Sequence, residues 1–94
     1  MNELPKISIV TPSYNQGAYL GETLQSLVDQ DYPNLEVIIQ ESGSTDDSIE
    51  IAQKFVEQHP STFELHVEKD SGQADALNRG FRKATGQILG FLNS

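Results

Sequence analysis

Apolar spacing along this chain switches repeatedly between the period of a strand and the period of a helix, and few folds accommodate that alternation. Lys6-Ile7-Ser8-Ile9-Val10 is a short strand closed by a Thr11-Pro12-Ser13 turn. Leu20, Leu24, Leu27 and Val28 then recur at helical spacing, and Tyr32-Pro33-Asn34 ends that helix. Leu35-Glu36-Val37-Ile38-Ile39-Gln40 is a second strand, Ser42-Gly43-Ser44-Thr45 a turn, and Ile49, Ala52, Phe55 and Val56 mark one face of a helix stopping near His59-Pro60. Phe63, Leu65 and Val67 alternate with Glu64, His66 and Glu68, the pattern of a half-exposed edge strand. Asp70-Ser71-Gly72 leads into a third helix carrying Ala74, Leu77, Phe81 and Ala84, which Gly86 ends. Ile88-Leu89-Gly90-Phe91-Leu92 is apolar throughout, as in a strand covered on both faces.

Alternating strands and helices of this length predict a parallel sheet with helices packed on it. Right-handed crossovers lay the first three strands side by side with the first two helices on one face. If the fourth strand pairs beyond the first, the order is 3-2-1-4 and the third helix lies on the opposite face. The switch point between strands one and four is then the expected ligand crevice, at the carboxyl ends of the strands. One sheet face carries a single helix in this arrangement, and the edge of the strand at residues 88–92 is open, so self-association through that edge is expected.

Composition narrows the partners. The 94 residues make at most one domain, which buries about two-thirds of its unfolded surface. A net charge of −8 argues against binding nucleic acid, which needs cations to displace counterions from phosphates, and against docking on anionic membranes. An anionic ligand beside so many carboxylates calls for a bridging divalent cation with oxygen ligands. The absence of cysteine excludes disulfides and thiolate metal sites. No apolar run is long enough for a membrane span.

Three loops fall at the predicted carboxyl edge. Thr11-Pro12-Ser13-Tyr14-Asn15-Gln16-Gly17 offers an aromatic ring for stacking, small hydroxyls and a helix start suited to anions. It is equally well explained as a rigid turn in which Ser13 or Asn15 caps the helix. In Glu41-Ser42-Gly43-Ser44-Thr45-Asp46-Asp47-Ser48, capping by Ser44, Thr45 or Asp46 accounts for most of the polar residues but not for Glu41. Glu68-Lys69-Asp70-Ser71-Gly72-Gln73 again sets a carboxylate at a strand's end. No Gly-x-Gly-x-x-Gly follows the first strand, no phosphate-cradling Gly-x-x-x-x-Gly-Lys loop occurs, and no Gly-x-Ser-x-Gly elbow is present. Neither His59 nor His66 has a partner at metal-ligand spacing.

Four ordered segments together carry a resemblance. They are residues 7–15 (Ile-Ser-Ile-Val-Thr-Pro-Ser-Tyr-Asn), 36–46 (Glu-Val-Ile-Ile-Gln-Glu-Ser-Gly-Ser-Thr-Asp), 70–81 (Asp-Ser-Gly-Gln-Ala-Asp-Ala-Leu-Asn-Arg-Gly-Phe) and 84–94 (Ala-Thr-Gly-Gln-Ile-Leu-Gly-Phe-Leu-Asn-Ser). In this order and spacing the chain resembles the amino-terminal, nucleotide-binding half of a family-2 glycosyltransferase of GT-A fold. The resemblance implies a Rossmann-like three-layer α/β unit, with residues 1–94 as a single partial domain.

It also implies a function. The parent enzyme would move a sugar from a nucleoside-diphosphate sugar, commonly a UDP-sugar, to an acceptor with inversion, using a divalent cation, Mn or Mg, on the diphosphate. Carried over residue by residue, Pro12, Ser13 and Tyr14 would lie against base and ribose, Glu41 and Ser42 would bind base or ribose, Gly72 to Asn78 would border the diphosphate and line the crevice floor, and Asp70, like Glu41, is better placed for donor binding than for proton transfer. The commonest family pattern has Asp where this chain has Glu41 and Ser42, a departure that bears on the choice of base. The metal-binding Asp motif would begin directly after Asn93-Ser94, so no catalytic or metal-ligating residue is assigned within the chain. The expected setting is the cytoplasm, at the inner face of the membrane for the parent, and little turnover is expected of these residues alone. A non-catalytic nucleotide-binding or interaction module on the same scaffold is the alternative; a flavodoxin-like or response-regulator-like domain would need a fifth strand.

Overall fold

The structure, a computed structural model, describes residues 4–93. Seven elements follow one another as β1 (Ile7–Ser13), α1 (Gly17–Asp29), β2 (Leu35–Glu41), α2 (Ser48–Gln58), β3 (Phe63–Val67), α3 (Gln73–Lys83) and β4 (Ile88–Phe91). The strands form one sheet in the order β3-β2-β1-β4, every neighbour parallel, as right-handed crossovers require. Helices α1 and α2 pack together, while α3 lies on β1 and β2.

Strand β1 is longer than its apolar run predicts and absorbs the Thr11-Pro12-Ser13 segment expected as a turn. Register explains how a proline fits. Thr11, Pro12 and Ser13 stand opposite Ile39, Gln40 and Glu41 of β2, but pairing with β4 ends at Val10 and Phe91. The Val10 carbonyl accepts from the Leu92 N–H at 3.1 Å. Pro12, two residues on, turns toward the same side past the end of β4, so its missing N–H costs the ladder nothing.

Alternate residues of the strands feed two thin cores. On one face Leu20, Leu24 and Leu27 of α1, Ala52 of α2, Val37 and Ile39 of β2 and Phe63 of β3 form a buried cluster. Phe55 meets Phe63 edge-on, ring centroids 5.6 Å apart. On the other face Val10 and Ile38 are buried beneath α3, whose own Ala76 is buried. The helix backbone comes down directly onto β1 at Gly80, where an added Cβ would lie 2.3 Å from Val10 Cγ1.

Two edge strands behave differently. Strand β3 does not show the expected alternation: exposure rises along it from buried Phe63 to exposed Val67, two residues of the same face, with Glu64, Leu65 and His66 half-buried between them. Strand β4 was expected to be covered on both faces, but Ile88 is 48%, Leu89 53% and Phe91 55% exposed. The cause is topological: α3, crossing from β3 to β4, settles over β1 and β2 and leaves β4 flanked by β1 alone among the described residues.

Gly21 and Gly80, both within helices, make a discriminating pair. Gly80→Ala should lower the unfolding free energy by about 1–3 kcal/mol, because Val10 and the α3 backbone must separate. Gly21→Ala, whose Cβ would meet only Ile51 Cγ2 at 3.8 Å, should be neutral or stabilising. Equilibrium denaturation of both variants checks this; equal effects would contradict the close approach at Gly80.

Candidate functional site

The loops leaving β1 and β2 are fastened to each other before either can offer a ligand anything. Asn15 adopts a left-handed backbone (φ 51°), a conformation asparagine tolerates. Its N–H donates to Ser44 Oγ at 2.8 Å, and its Oδ1 accepts from the Thr45 N–H at 2.9 Å. The Gln16 N–H donates to Ser48 Oγ at 3.2 Å. Most telling is Asp46. Its Oδ2 accepts from the N–H of Gly17, the first residue of α1, and its Oδ1 from the N–H of Ser48, the first residue of α2, each at 2.9 Å. One carboxylate thus neutralises the positive ends of two helices. The Ser48 hydroxyl, then the Gly17 N–H, hold its carboxyl below the usual range. Glycine at position 17 leaves room for both acids: a Cβ there would lie 2.0 Å from Asp47 Oδ1, the end of a side chain that can turn aside, and 3.1 Å from Asp46 Oδ2.

This alters the expectations for the first loop. The start of α1 is not an open anion seat, since Asp46 fills it, and neither Ser13 nor Asn15 caps α1 through its own side chain.

Glu41 lies beneath these loops, wholly buried at the end of β2. Its Oε1 accepts from the Ser44 N–H at 2.5 Å and so holds the Ser42-Gly43-Ser44 turn. Its Oε2 has no hydrogen-bond partner among the described residues, and the same is true of the buried hydroxyls of Thr11 and Ser13. Ser13 stands in register with Glu41, so these orphaned oxygens gather at one end of the sheet.

The loop after β3 supplies the facing wall. Asp70 Oδ2 accepts from the Ser42 hydroxyl, and its Oδ1 from the Gly72 N–H at 2.9 Å. Asp75 Oδ2 accepts from the Ser71 N–H at 3.0 Å. Upstream, Glu68 takes a bond from the Lys83 ammonium and one at 2.8 Å from the Gln40 amide, with Arg79 at 3.7 Å. Lys83 foremost, then Gln40, holds the Glu68 carboxyl down at about 2.

Between the walls lies a cleft of about 620 Å³. Pro12, Ser13 and Tyr14 form one side, Lys69 to Gln73 and Ala76 the other, with Ser42 and Asn93 completing it. The Tyr14 ring is 57% exposed at the mouth. Six of the expected site residues, Pro12, Ser13, Tyr14, Ser42, Asp70 and Gly72, line this cleft. Two do not: Glu41 is buried under the loop, and Asn78 is exposed along α3, away from the opening. Lys69, Gln16 and Asn93 border the cleft without having been assigned a part in it from sequence. Lys69 was within reach of sequence reasoning, being the one cation in a loop already singled out for its carboxylates.

No group of three or more His, Asp or Glu side chains among the described residues is placed to hold a metal ion. Asp70, the one carboxylate lining the cleft, has both oxygens engaged. The described residues therefore do not fit a divalent-cation centre by themselves. No helix among them is long and apolar enough to cross a membrane.

Comparison with known proteins places this geometry. The family model described as "Glycosyl transferase family 2" matches residues 8–94. Glycosyltransferase GlyG of Streptococcus pneumoniae serotype 4 is 40% identical over 94 residues, all of this chain and 31% of GlyG. The mannosyltransferase PcManGT from Pyrobaculum calidifontis, solved with GDP-Man and Mn2+, superposes with a TM-score of 0.82 at 36% identity, over 90% of this chain and 26% of that one. TarS of S. aureus, solved with UDP-GlcNAc, gives 0.76 at 28% identity, over 94% of this chain and 26% of that one. The chain spans 27% and 37% of the length of two further curated relatives.

The Glu68 cluster yields a pH prediction. Its folded value lies below the ordinary 4.5, so its contribution to stability is complete above about 4.5 and is lost as pH falls toward about 2. NMR titration of the Glu68 carboxyl should show that low midpoint, and Lys83→Met should return it toward the ordinary range. A wild-type midpoint near 4.5 would contradict the clamp.

Proposed function

Because this chain belongs to glycosyl transferase family 2, we propose that its cleft receives the nucleotide of a nucleoside-diphosphate sugar. In this reading the chain is the donor-binding part of an enzyme that transfers the sugar to an acceptor hydroxyl with inversion, assisted by a divalent cation. The observation that carries it is Ser13, a residue of the cleft lining whose buried hydroxyl has no partner among the described residues. Burying an unmatched hydroxyl costs free energy that a bound ligand recovers. A base and ribose, flat on one side and rich in donors and acceptors at the edges, suit a site with a Tyr14 ring at the mouth, Ser13 at the floor and a carboxylate pre-oriented at Asp70.

The residues divide by role. Pro12 and Tyr14 flank base and ribose, Ser13 bonds to one of them, and Asp70 accepts from a base N–H or ribose hydroxyl while Ser42 and the Gly72 N–H hold it in place. Glu41 shapes the turn from below instead of touching the ligand. Asn78 has no place in this cleft. The donor nucleotide in this reading is uridine diphosphate; among the solved relatives, TarS is seen with UDP-GlcNAc and PcManGT with GDP-Man. A divalent cation would offset charge on the leaving diphosphate, with ligands supplied from outside the described residues. Transfer also needs a general base at the acceptor hydroxyl. Glu41 is buried and Asp70 is committed to the donor, so the chain by itself binds without turning over.

Titrating UDP, GDP and dTDP into labelled protein, with and without manganese, tests the reading by NMR shift mapping. Shifts should cluster at residues 12–14, 42–44 and 70–73, with UDP strongest. Ser13→Ala should weaken UDP by about three- to tenfold while leaving stability unchanged or higher, since the hydroxyl it removes has no protein partner. A folded protein showing no shifts, or shifts away from the cleft, would overturn it.

A further inference from the structure

The cleft lining has one positively charged side chain, and among the described residues that side chain has no partner. Of the six lysines and arginines, Lys6 pairs with Glu36, Arg79 with Asp75 and Glu68, and Lys83 with Glu68. Among the described residues the other three, Lys54, Lys69 and Arg82, make no ion pair, and of these Lys69 alone lines the cleft. Carboxylates outnumber cations 14 to 6 in this chain, so an unpaired lysine beside a carboxylate-bearing loop stands out. Its immediate neighbour, Asp70, does not bind it. Asp70 turns its oxygens instead to the Ser42 hydroxyl and the Gly72 N–H. The Lys69 ammonium therefore has no internal bond to break before it meets a ligand.

The other source of positive potential on the opposite wall is already consumed, because Asp46 occupies the start of α1. A diphosphate entering a protein of net charge −8 meets long-range repulsion, which a free ammonium on the cleft wall offsets locally. We propose that Lys69 binds the diphosphate of the nucleotide, its ammonium contacting phosphate oxygens. This rests on the nucleotide reading of the cleft and adds to it a phosphate contact. Ser13, Tyr14 and Asp70 then hold the nucleoside, and Lys69 separates a nucleoside diphosphate from a nucleoside.

The test compares UDP and GDP with uridine and guanosine by calorimetry at fixed manganese, using wild type, Lys69→Met, Lys69→Arg and Lys54→Met. Lys54→Met removes the same unit of charge from α2, away from the cleft. Lys69→Met should weaken both diphosphates about tenfold and the nucleosides less than twofold, a selective loss that misfolding would not produce. Lys69→Arg should keep most of the affinity, and Lys54→Met should match wild type. Equal losses for nucleosides and diphosphates, no loss at all, or a loss reproduced by Lys54→Met would overturn the role of Lys69 and leave the nucleotide reading standing. Failure of wild type to bind any of the four ligands would bring down the nucleotide reading, and this proposal with it.

Discussion

The carboxylate of Asp46 is the constraint on which the rest of the carboxyl edge depends. A parallel sheet aims the starts of its helices at the same end as its ligand crevice, and each start carries N–H groups without intrahelical partners. Here the Gly17 and Ser48 N–H groups share one side chain. The loop after β1 and the loop after β2 are consequently tied together. Gly17 leaves room beside the Asp46 and Asp47 carboxylates, and Asn15 adds bonds in both directions to Ser44 and Thr45.

That stitched pair sets the shape of the cleft. It holds Ser13 and Tyr14 on one side, while the Ser42 hydroxyl reaches across to Asp70 and draws in the loop after β3. The Glu68 cluster steadies the same loop from behind through Lys83, Arg79 and Gln40. Polar satisfaction is uneven across this edge. Bonds among the loops are nearly complete, yet Thr11, Ser13 and Glu41 keep buried oxygens without partners among the described residues. Rigid walls over an incompletely satisfied floor describe a preorganised binding site, in which a ligand supplies the missing bonds and little conformational entropy is lost.

Much of the fold was legible in the residues. The alternation of spacing and the handedness of crossovers led to the strand order and to the face on which α3 lies once the fourth strand was set beyond the first, the pairing the structure has. The end of β1 was misjudged because Pro12 reads as a turn, and only the early end of β4 explains why a proline is tolerated there. Strand β4 misled in a similar way: an apolar run reports what a strand is suited to touch, whereas exposure depends on where α3 comes to rest. At the site, the loops followed from their position at strand ends, and the residues within them were assigned by the family resemblance. Glu41 was recognised as anomalous, but a carboxylate at a strand's end reads the same whether it faces a ligand or props a turn. The partnership of Asp46 with Gly17 spans two loops distant in sequence, and no local pattern announces it. Lys69 became informative only once the partners of the other cations were known.

Membership of glycosyl transferase family 2 and the cleft at the carboxyl edge are the grounds for the proposed donor-binding site. The most direct measurement is a crystal structure of the protein grown with UDP and manganese. The account predicts the base and ribose between Pro12, Tyr14 and Asp70, a hydrogen bond to Ser13 Oγ, and the Asp46 bridge to Gly17 and Ser48 unchanged. Nucleotide bound elsewhere, or bound in the cleft only after the loops around Asp46 have come apart, would contradict it.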